Sequence, residues 1–544
     1  MSTAPPPDLT TIASALPEQG VARGRLWFIA FVVSLGGFVF GFDAAVISGV
    51  VGYVSTTWQL DVWQQGLLVS APSLAAIPAA LTVAPLSDVI GRRRMLVVVA
   101  WLYLLSGIGA TLAPDYLSLV LARALGGFAF GSLMLTPVYM AEIAPARLRG
   151  MLVSVGQLNI VIGLSAAYFC NYVLVALSTS GAPWVASLGI DRWTWRWMLG
   201  LEIVPAALWL VLLFFVPESP RWLALRGRLD AARRVLRNLY PAGEVENQLA
   251  AVAASAGTAA DSLASRLREV LSPRLRFVLF IGLVVGIAQQ ITGINAVLFF
   301  ATSIFELSGI GRDAAFAQAV WVGLINVVFT GLAMLLIDRL GRRPLLIGGL
   351  VAVVLSLSLA GWGFQQARYQ LPAAAAQQVL GAGLAAQAAT VVDREFTDER
   401  AFRAAVRAAL GRPAAEQHEA ALLRAAVRMQ PWMVLTGILS FVAAFAISLG
   451  PVMWVLLSEI FPNRVRGVAM ALVGFVNALV SFGVQFLFPW ELSVLGNATT
   501  FFVYAATGVV ALLLVVRYLP ETKGRTLEEI EHELAGGRTI AGAR

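Results

Sequence analysis

The chain has 544 residues, of which 59% are hydrophobic and only 13% charged, against roughly a quarter charged in an ordinary soluble domain. With a mean hydropathy of +0.79, a water-soluble globule is excluded, and the bilayer is the expected surrounding. The net charge of +8 is carried by arginine, since Lys523 is the one lysine. No solvated basic face with interleaved aromatics accompanies it, which excludes nucleic acid as a partner. A lone Cys170 and two distant histidines, His418 and His532, exclude a disulfide framework, a zinc site and thiol chemistry, so no metal or cofactor is expected.

Residues 1–25 contain Pro5, Pro6 and Pro7 and no pattern of a cleavable signal, which reads as a loose tail. Nearly uncharged runs follow at 26–54, 64–86, 95–113, 116–140, 151–177 and 197–216, then at 277–304, 314–337, 344–364, 432–457, 468–490 and 498–516. Each is long enough to cross a bilayer as a helix, the open-ended structure that satisfies its own backbone in hydrocarbon. The expected fold is therefore all-α, with twelve spans in two six-helix halves, 26–216 and 277–518. A polar linker, 217–276, joins the halves and should carry short amphipathic helices, and 519–544 forms a second tail.

Placing both termini in the cytoplasm leaves Arg92, Arg93, Arg94, Arg147, Arg149, Arg339, Arg342, Arg343, Arg464 and Arg466 in inner loops. The short outer loops then hold Arg192, Arg196 and Arg312, so the positive-inside rule fixes the orientation.

The halves repeat. Asp88-x-x-Gly91-Arg92-Arg93 recurs as Asp338-x-x-Gly341-Arg342-Arg343 at an offset of 250 residues, and Glu142 to Gly150 recurs as Glu459 to Gly467 at an offset of 317. The difference of 67 is the length of the polar stretch 364–430, an insertion expected on the outer face. Within it, 393–410 and 414–429 read as a helical hairpin cap turning at Gly411-Arg412-Pro413. The uncharged stretch 373–392 is long enough to span, but an extra crossing would place Arg464 and Arg466 on the wrong side.

Within the twelve runs stand three charged residues, Asp43, Arg123 and Glu202. Counted from the outer helix ends they lie roughly 16, 10 and 8 Å deep at 1.5 Å per residue, so they can meet. Charges at such depth mark an ion path or a proton relay. An aspartate shut away from water keeps its proton and one beside an arginine releases it. Moving Arg123 relative to Asp43 would thus load and unload one proton. A static salt bridge between the first and fourth spans is the alternative. Glu202 either tunes this pair or is neutralised by Arg196.

The motif set resembles the sugar porter branch of the major facilitator superfamily over nearly the whole chain. The residues that carry the resemblance are Gly41-Phe42-Asp43 through Gly49, Pro217-Glu218-Ser219-Pro220-Arg221-Trp222, Gln289-Gln290-x-x-Gly293-Ile294-Asn295, Gly450-Pro451-x-x-Trp454 and Pro520-Glu521-Thr522-Lys523-Gly524-Arg525. The pattern is similar to that of bacterial proton-coupled xylose and galactose symporters, in which an Asp stands at the position of Asp43. The resemblance implies symport of a proton with a monosaccharide or polyol by alternating access, in the plasma membrane, by a monomer. A bacterial inner membrane fits the arginine-rich, GC-rich coding. It also implies sugar ligands at Gln157, Gln289, Gln290, Asn295, Asn326 and Asn477, amides that both donate and accept toward hydroxyls, with Trp454 against the apolar face of the ring. For each amide, plain interhelical hydrogen bonding is the alternative.

Gly293, Gly450 and Pro451 are expected to break spans seven and ten, at the helices that open the third and fourth three-helix repeats, and to serve as gates. Packing kinks are the alternative there. At the cytoplasmic ends, Asp88, Glu142, Glu218, Asp338 and Glu459 are expected to pair with Arg92, Arg147, Arg221, Arg342 and Arg464, latching the halves together in the outward-open form. The insertion, Phe299 and Phe300 where many members have tyrosines, and Ala84 in place of a motif glycine depart from the family pattern. A uniporter of the same fold, or a sugar sensor, are the rival functions; a sensor would carry a long signalling tail. An enzyme is not expected, for want of a nucleophile–base or metal constellation.

Overall fold

The computed structural model describes residues 23–256, 263–462 and 464–523. Spans are numbered one to twelve in chain order. Spans one to three are helices Arg23–Trp58, Val62–Ile90 and Arg92–Leu112. Span four is split at Phe130 and Gly131 into Tyr116–Ala129 and Ser132–Ile143, and span five is Ala146–Ser178. Span six bends at Leu201 and Glu202, between Thr194–Gly200 and Ile203–Leu213. In the second half, span seven is the broken set Arg276–Ile291, Ile294–Phe299 and Ala301–Leu307, followed by Arg312–Leu340 and Arg342–Gln365. Span ten is Pro431–Ile447 and Leu449–Ile460, and spans eleven and twelve are Arg466–Leu495 and Asn497–Tyr518.

Local chemistry sets the ends of these helices. Asp61 opens span two with a reciprocal cap: its carboxylate accepts from the Gln64 amide at 2.8 Å while Gln64 Oε1 accepts from the Asp61 amide at 3.0 Å. Between spans two and three, and again between eight and nine, the chain turns at Gly91 (φ 111°) and Gly341 (φ 92°), the conformation that requires glycine in both copies of the repeated motif.

Within the first half, span one lies along span five so closely that a Cβ on Gly41 would fall 2.9 Å from both the Ile160 carbonyl carbon and the Leu164 nitrogen. Small residues permit such backbone approach where lipid provides no hydrophobic drive for association. Spans two against eleven and five against eight are the seams between the halves. The linker carries the helices Pro220–Leu225, Leu229–Arg237, Ala242–Ala256 and Leu263–Val270.

The outer insertion is richer than a helical hairpin. Helix Glu399–Leu410 begins six residues later than expected because Glu395–Phe396 pairs as a strand with Arg368–Gln370, after Asp393 turns the chain at φ 58°. The last helix, Arg412–Ala426, ends early because Val427–Arg428 pairs on the other edge of the same strand. The uncharged stretch contributes a third helix, Ala373–Gln387, kinked at Gly381, which packs within the insertion and does not cross. Tyr369, Phe396, Phe402, Val406 and Leu422 form a core separate from the bundle.

Candidate functional site

Asp43 of span one and Arg123 of span four meet inside the first half. Arg123 Nη1 donates to Asp43 Oδ1 at 3.1 Å, and both side chains are only 2% exposed. The guanidinium also donates through Nε to the Leu68 carbonyl at 3.3 Å, fixing it between spans one and two. Glu202, 1% exposed at the bend of span six, is a neighbour of Asp43. Asp43 Oδ2 and Glu202 Oε1 each lack a donor among the described residues. Arg196 does not neutralise Glu202: it donates to the carbonyls of Thr111 and Ala113 at 2.7 and 2.8 Å, with its guanidinium 4.4 Å from the Trp195 ring. The unsatisfied carbonyls at the end of span three and two tryptophan faces hold it there.

Four of the expected sugar ligands form one network in the second half, with Gln289, Gln290 and Asn477 buried and Asn295 half-buried. Gln290 Nε2 donates to Asn477 Oδ1 at 3.2 Å, Asn477 Nδ2 to Gln289 Oε1 at 2.9 Å, and Asn295 Nδ2 to Gln290 Oε1 at 2.9 Å. The left-handed Gly293 (φ 85°) makes this possible, breaking span seven so that Gln290 and Asn295 face one another across the gap. Gln289 Nε2 also donates to the carbonyls of Leu449 and Gly450, tying the break in span seven to that in span ten. Asn326 lies on span eight and accepts from Thr330, while Gln157 and Trp454 are half-buried; none of the three bonds to the network.

The break in span ten falls at Ser448 (φ −124°, ψ −94°), ahead of Gly450 and Pro451. Pro451 sits in the first turn of the following helix, where its missing amide hydrogen costs nothing.

At the cytoplasmic ends the ion pairs of Arg92 and of Arg342 each close within one half. Arg92 pairs with Asp88 and with Glu142 at 3.1 Å; Arg342 pairs with Asp338 at 3.0 Å and with Glu459 at 2.7 Å. Arg464 pairs with Glu269 of the linker at 3.6 Å. Glu218 accepts from the backbone amide of Arg93 at 3.0 Å, and Arg221 is exposed. This replaces the expected Glu218–arginine pair, because the free amides at the start of span three are the stronger demand. Glu521 does the same at the start of span nine, accepting from Arg342 and Arg343 amides at 3.0 Å. The side chain of Arg147 lies outside the described residues.

On the outer side the halves touch. Ser48 of span one lies 3.2 Å from the Thr302 hydroxyl of span seven, and Tyr168 donates to the Leu298 carbonyl at 2.5 Å. Arg312 places its guanidinium 4.5 Å from the Tyr53 ring, and Ser73 donates to Gln485 at 3.0 Å. This is an outer-closed arrangement.

Sequence reading missed Ser481 and Gln485, although Asn477, Ser481 and Gln485 recur every four residues and so share one face of span eleven. It also missed Glu491, which accepts from the buried Tyr504 hydroxyl at 2.6 Å, because the uncharged run stopped at Trp490 one turn before the helix did.

The sequence profile described as "Sugar (and other) transporter" matches residues 29–389 and 417–534. The D-xylose-proton symporter of Escherichia coli is 33% identical, covering 93% of this chain and 95% of its own. The glucose transporter GlcP of Staphylococcus epidermidis is 32% identical over 96% and 99%. The Bacillus subtilis arabinose-proton symporter is 30% identical over 94% and 95%. Among solved structures, the inward-open form of the xylose transporter XylE from E. coli superposes with a TM-score of 0.71 at 29% identity, covering 93% of this chain and 99% of that one. Its partially occluded inward-open form gives 0.65. Members of this family are transporters and not enzymes, and they are multi-pass proteins of the plasma membrane. The chain belongs to the sugar transporter family and has the major facilitator fold, twelve spans in two halves.

Proposed function

We propose that this chain carries a monosaccharide or polyol together with a proton by alternating access. The observation that carries the reading is the buried Arg123–Asp43 pair with Glu202 beside it. Two charges this far from water persist only because they neutralise one another, and removing either partner leaves the other stranded at a cost of about 3–5 kcal/mol. Any movement of span four that draws Arg123 away therefore obliges Asp43 to take up a proton. A proton on one of these two neighbouring carboxyls would supply a donor where Asp43 Oδ2 and Glu202 Oε1 each lack one.

The neutral amide network around Gln289, Gln290, Asn295 and Asn477 suits a polyhydroxylated solute, which offers donors and acceptors together. The names of two relatives, a D-xylose-proton and an arabinose-proton symporter, agree with both parts of the reading. One charge crossing 100 mV releases about 2.3 kcal/mol, enough for a roughly 50-fold gradient of a neutral solute at about 1.4 kcal/mol per tenfold.

The test is Asp43→Asn in proteoliposomes. Sugar counterflow should persist, while accumulation driven by an imposed proton gradient and sugar-stimulated proton entry should vanish. Undiminished accumulation in that variant would refute the role of Asp43, and a parent that equilibrates sugar without moving protons would be a uniporter.

A further inference from the structure

The amide network does not end at the expected sugar ligands. Asn295 Nδ2 also donates to Ser481 Oγ at 2.8 Å, and Ser481 Oγ accepts a second hydrogen bond from Gln485 Nε2 at 2.8 Å. Gln485 Oε1 in turn accepts from the Ser73 hydroxyl at 3.0 Å, and Ser73 belongs to span two of the other half. Gln485 is 0% exposed, so both ends of its amide are committed with no water to replace either bond. A continuous string of side-chain hydrogen bonds thus runs from span seven, through span eleven, to the opposite half of the molecule.

We infer that this string makes closure of the outer face depend on the state of the sugar amides, with Gln485 the positioning residue where it crosses between the halves. The inference rests on the reading of Gln290 and Asn295 as sugar ligands. An amide side chain is oriented by what it bonds to. Ser481 is held by Asn295 and by Gln485 together, so a sugar hydroxyl that fixes Asn295 fixes the position of Ser481 and, through it, of the Gln485 amide that Ser73 meets when the seam is closed. A link broken while the seam stays dry leaves an end of the buried Gln485 amide unpaired, and an unpaired buried polar group is expensive. When the outer face opens, spans two and eleven part, Ser73 is lost to Gln485 and water takes its place.

The experiment reads outer closure directly. Nitroxide labels on Thr57→Cys and Val494→Cys, exposed positions at the outer ends of spans one and eleven, report the separation of the halves by pulsed dipolar spectroscopy in a Cys170→Ala background. Xylose, glucose, galactose, arabinose and inositol are added in turn. In the parent, a sugar that binds should enlarge the short-distance, outer-closed population. In Gln485→Leu and in Ser73→Ala the sugar-bound ratio of closed to open should fall roughly fivefold, the worth of one net hydrogen bond. The double variant should be no worse than the more severe single one, as two ends of one contact require.

A closed population in both variants equal to the parent's would overturn the inference. Should Gln485→Leu fail to fold, Ser73→Ala, which removes only a hydroxyl, decides alone. Equilibrium binding to Gln290→Ala and Asn295→Ala separates the underlying reading. Undiminished sugar binding there would defeat the ligand assignment and the trigger with it, whereas lost binding with an unchanged closure response in Ser73→Ala would defeat the string alone.

Discussion

Gly41→Ala puts the packing of the first half to a quantitative test. The added methyl would meet the Ile160 carbonyl carbon and the Leu164 nitrogen at 2.9 Å and the Ile160 carbonyl oxygen more closely still, where ordinary contact begins at 3.4 Å. These are backbone atoms and cannot rotate aside, and the carbonyl oxygen sets the limit, so spans one and five must part by at least about 1 Å. Overpacking of this kind costs about 1–3 kcal/mol. The damage extends to function because Asp43 is two residues along the same helix. A displacement of that size is more than the 3.1 Å bond to Arg123 can absorb within hydrogen-bond range. Gly52→Ala is the control: it lies on the same span with nothing within 4 Å of its added methyl, and alanine is the better helix former by about 1 kcal/mol. Thermal denaturation in detergent, followed by fluorescence-detected size exclusion, should show Gly41→Ala melting well below the parent and Gly52→Ala at or above it. Proton-driven uptake should be lost only in the former. If both variants melt with the parent, the close approach of spans one and five is not what holds the half together.

Gly66→Ala pushes a methyl against the backbone carbonyl of Phe486 across the seam between spans two and eleven, so the outer face should fail to shut; sugar should still bind from outside while counterflow stops, and normal counterflow would contradict the seam. Gly293→Ala should lose uptake while the protein remains folded. Its φ of 85° costs a β-carbon about 1–2 kcal/mol, and the methyl would also meet the Tyr504 ring at 2.9 Å. Glu399→Gln removes one carboxylate partner of Arg403, whose side chain is 12% exposed, and weakens the acceptor for the Asn497 amide. The outer insertion should then be cut by externally added protease at least tenfold faster than in the parent, and an unchanged digestion rate would show that it is held by its apolar contacts.

Much of this was legible in the residues because hydrocarbon imposes one rule on every span. Run lengths gave the twelve helices, and the paired Asp-x-x-Gly-Arg-Arg loops gave the two halves. Asp43 and Arg123 stood out as charges where charge is costly. What pattern could not supply was partner choice. Glu218 looks like an ion-pairing residue, yet it satisfies helix-start amides, as Glu521 does in the other half, a demand invisible without knowing where spans three and nine begin. Gly450-Pro451 looks like the break in span ten, but proline is at ease in a first turn and the break moves to Ser448. Glu491 escaped because a helix continued one turn past the end of an uncharged run. In the insertion, strands of two or three residues are too short to show alternation, so the sheet that closes it had no signal.

That sheet has a further consequence. The chain enters the insertion at Arg368 and leaves it at Arg428, and these two residues are direct partners in antiparallel pairing, which holds Cα atoms about 5 Å apart. Everything between them is a detour that starts and finishes at one place, so spans nine and ten meet as they would around a short hairpin. The detour has its own core and the family profile passes over residues 390–416 within it. Such a graft could be gained, lost or exchanged for another module without disturbing the register of any transmembrane helix, and it offers a ready attachment point for a reporter facing the outside of the cell.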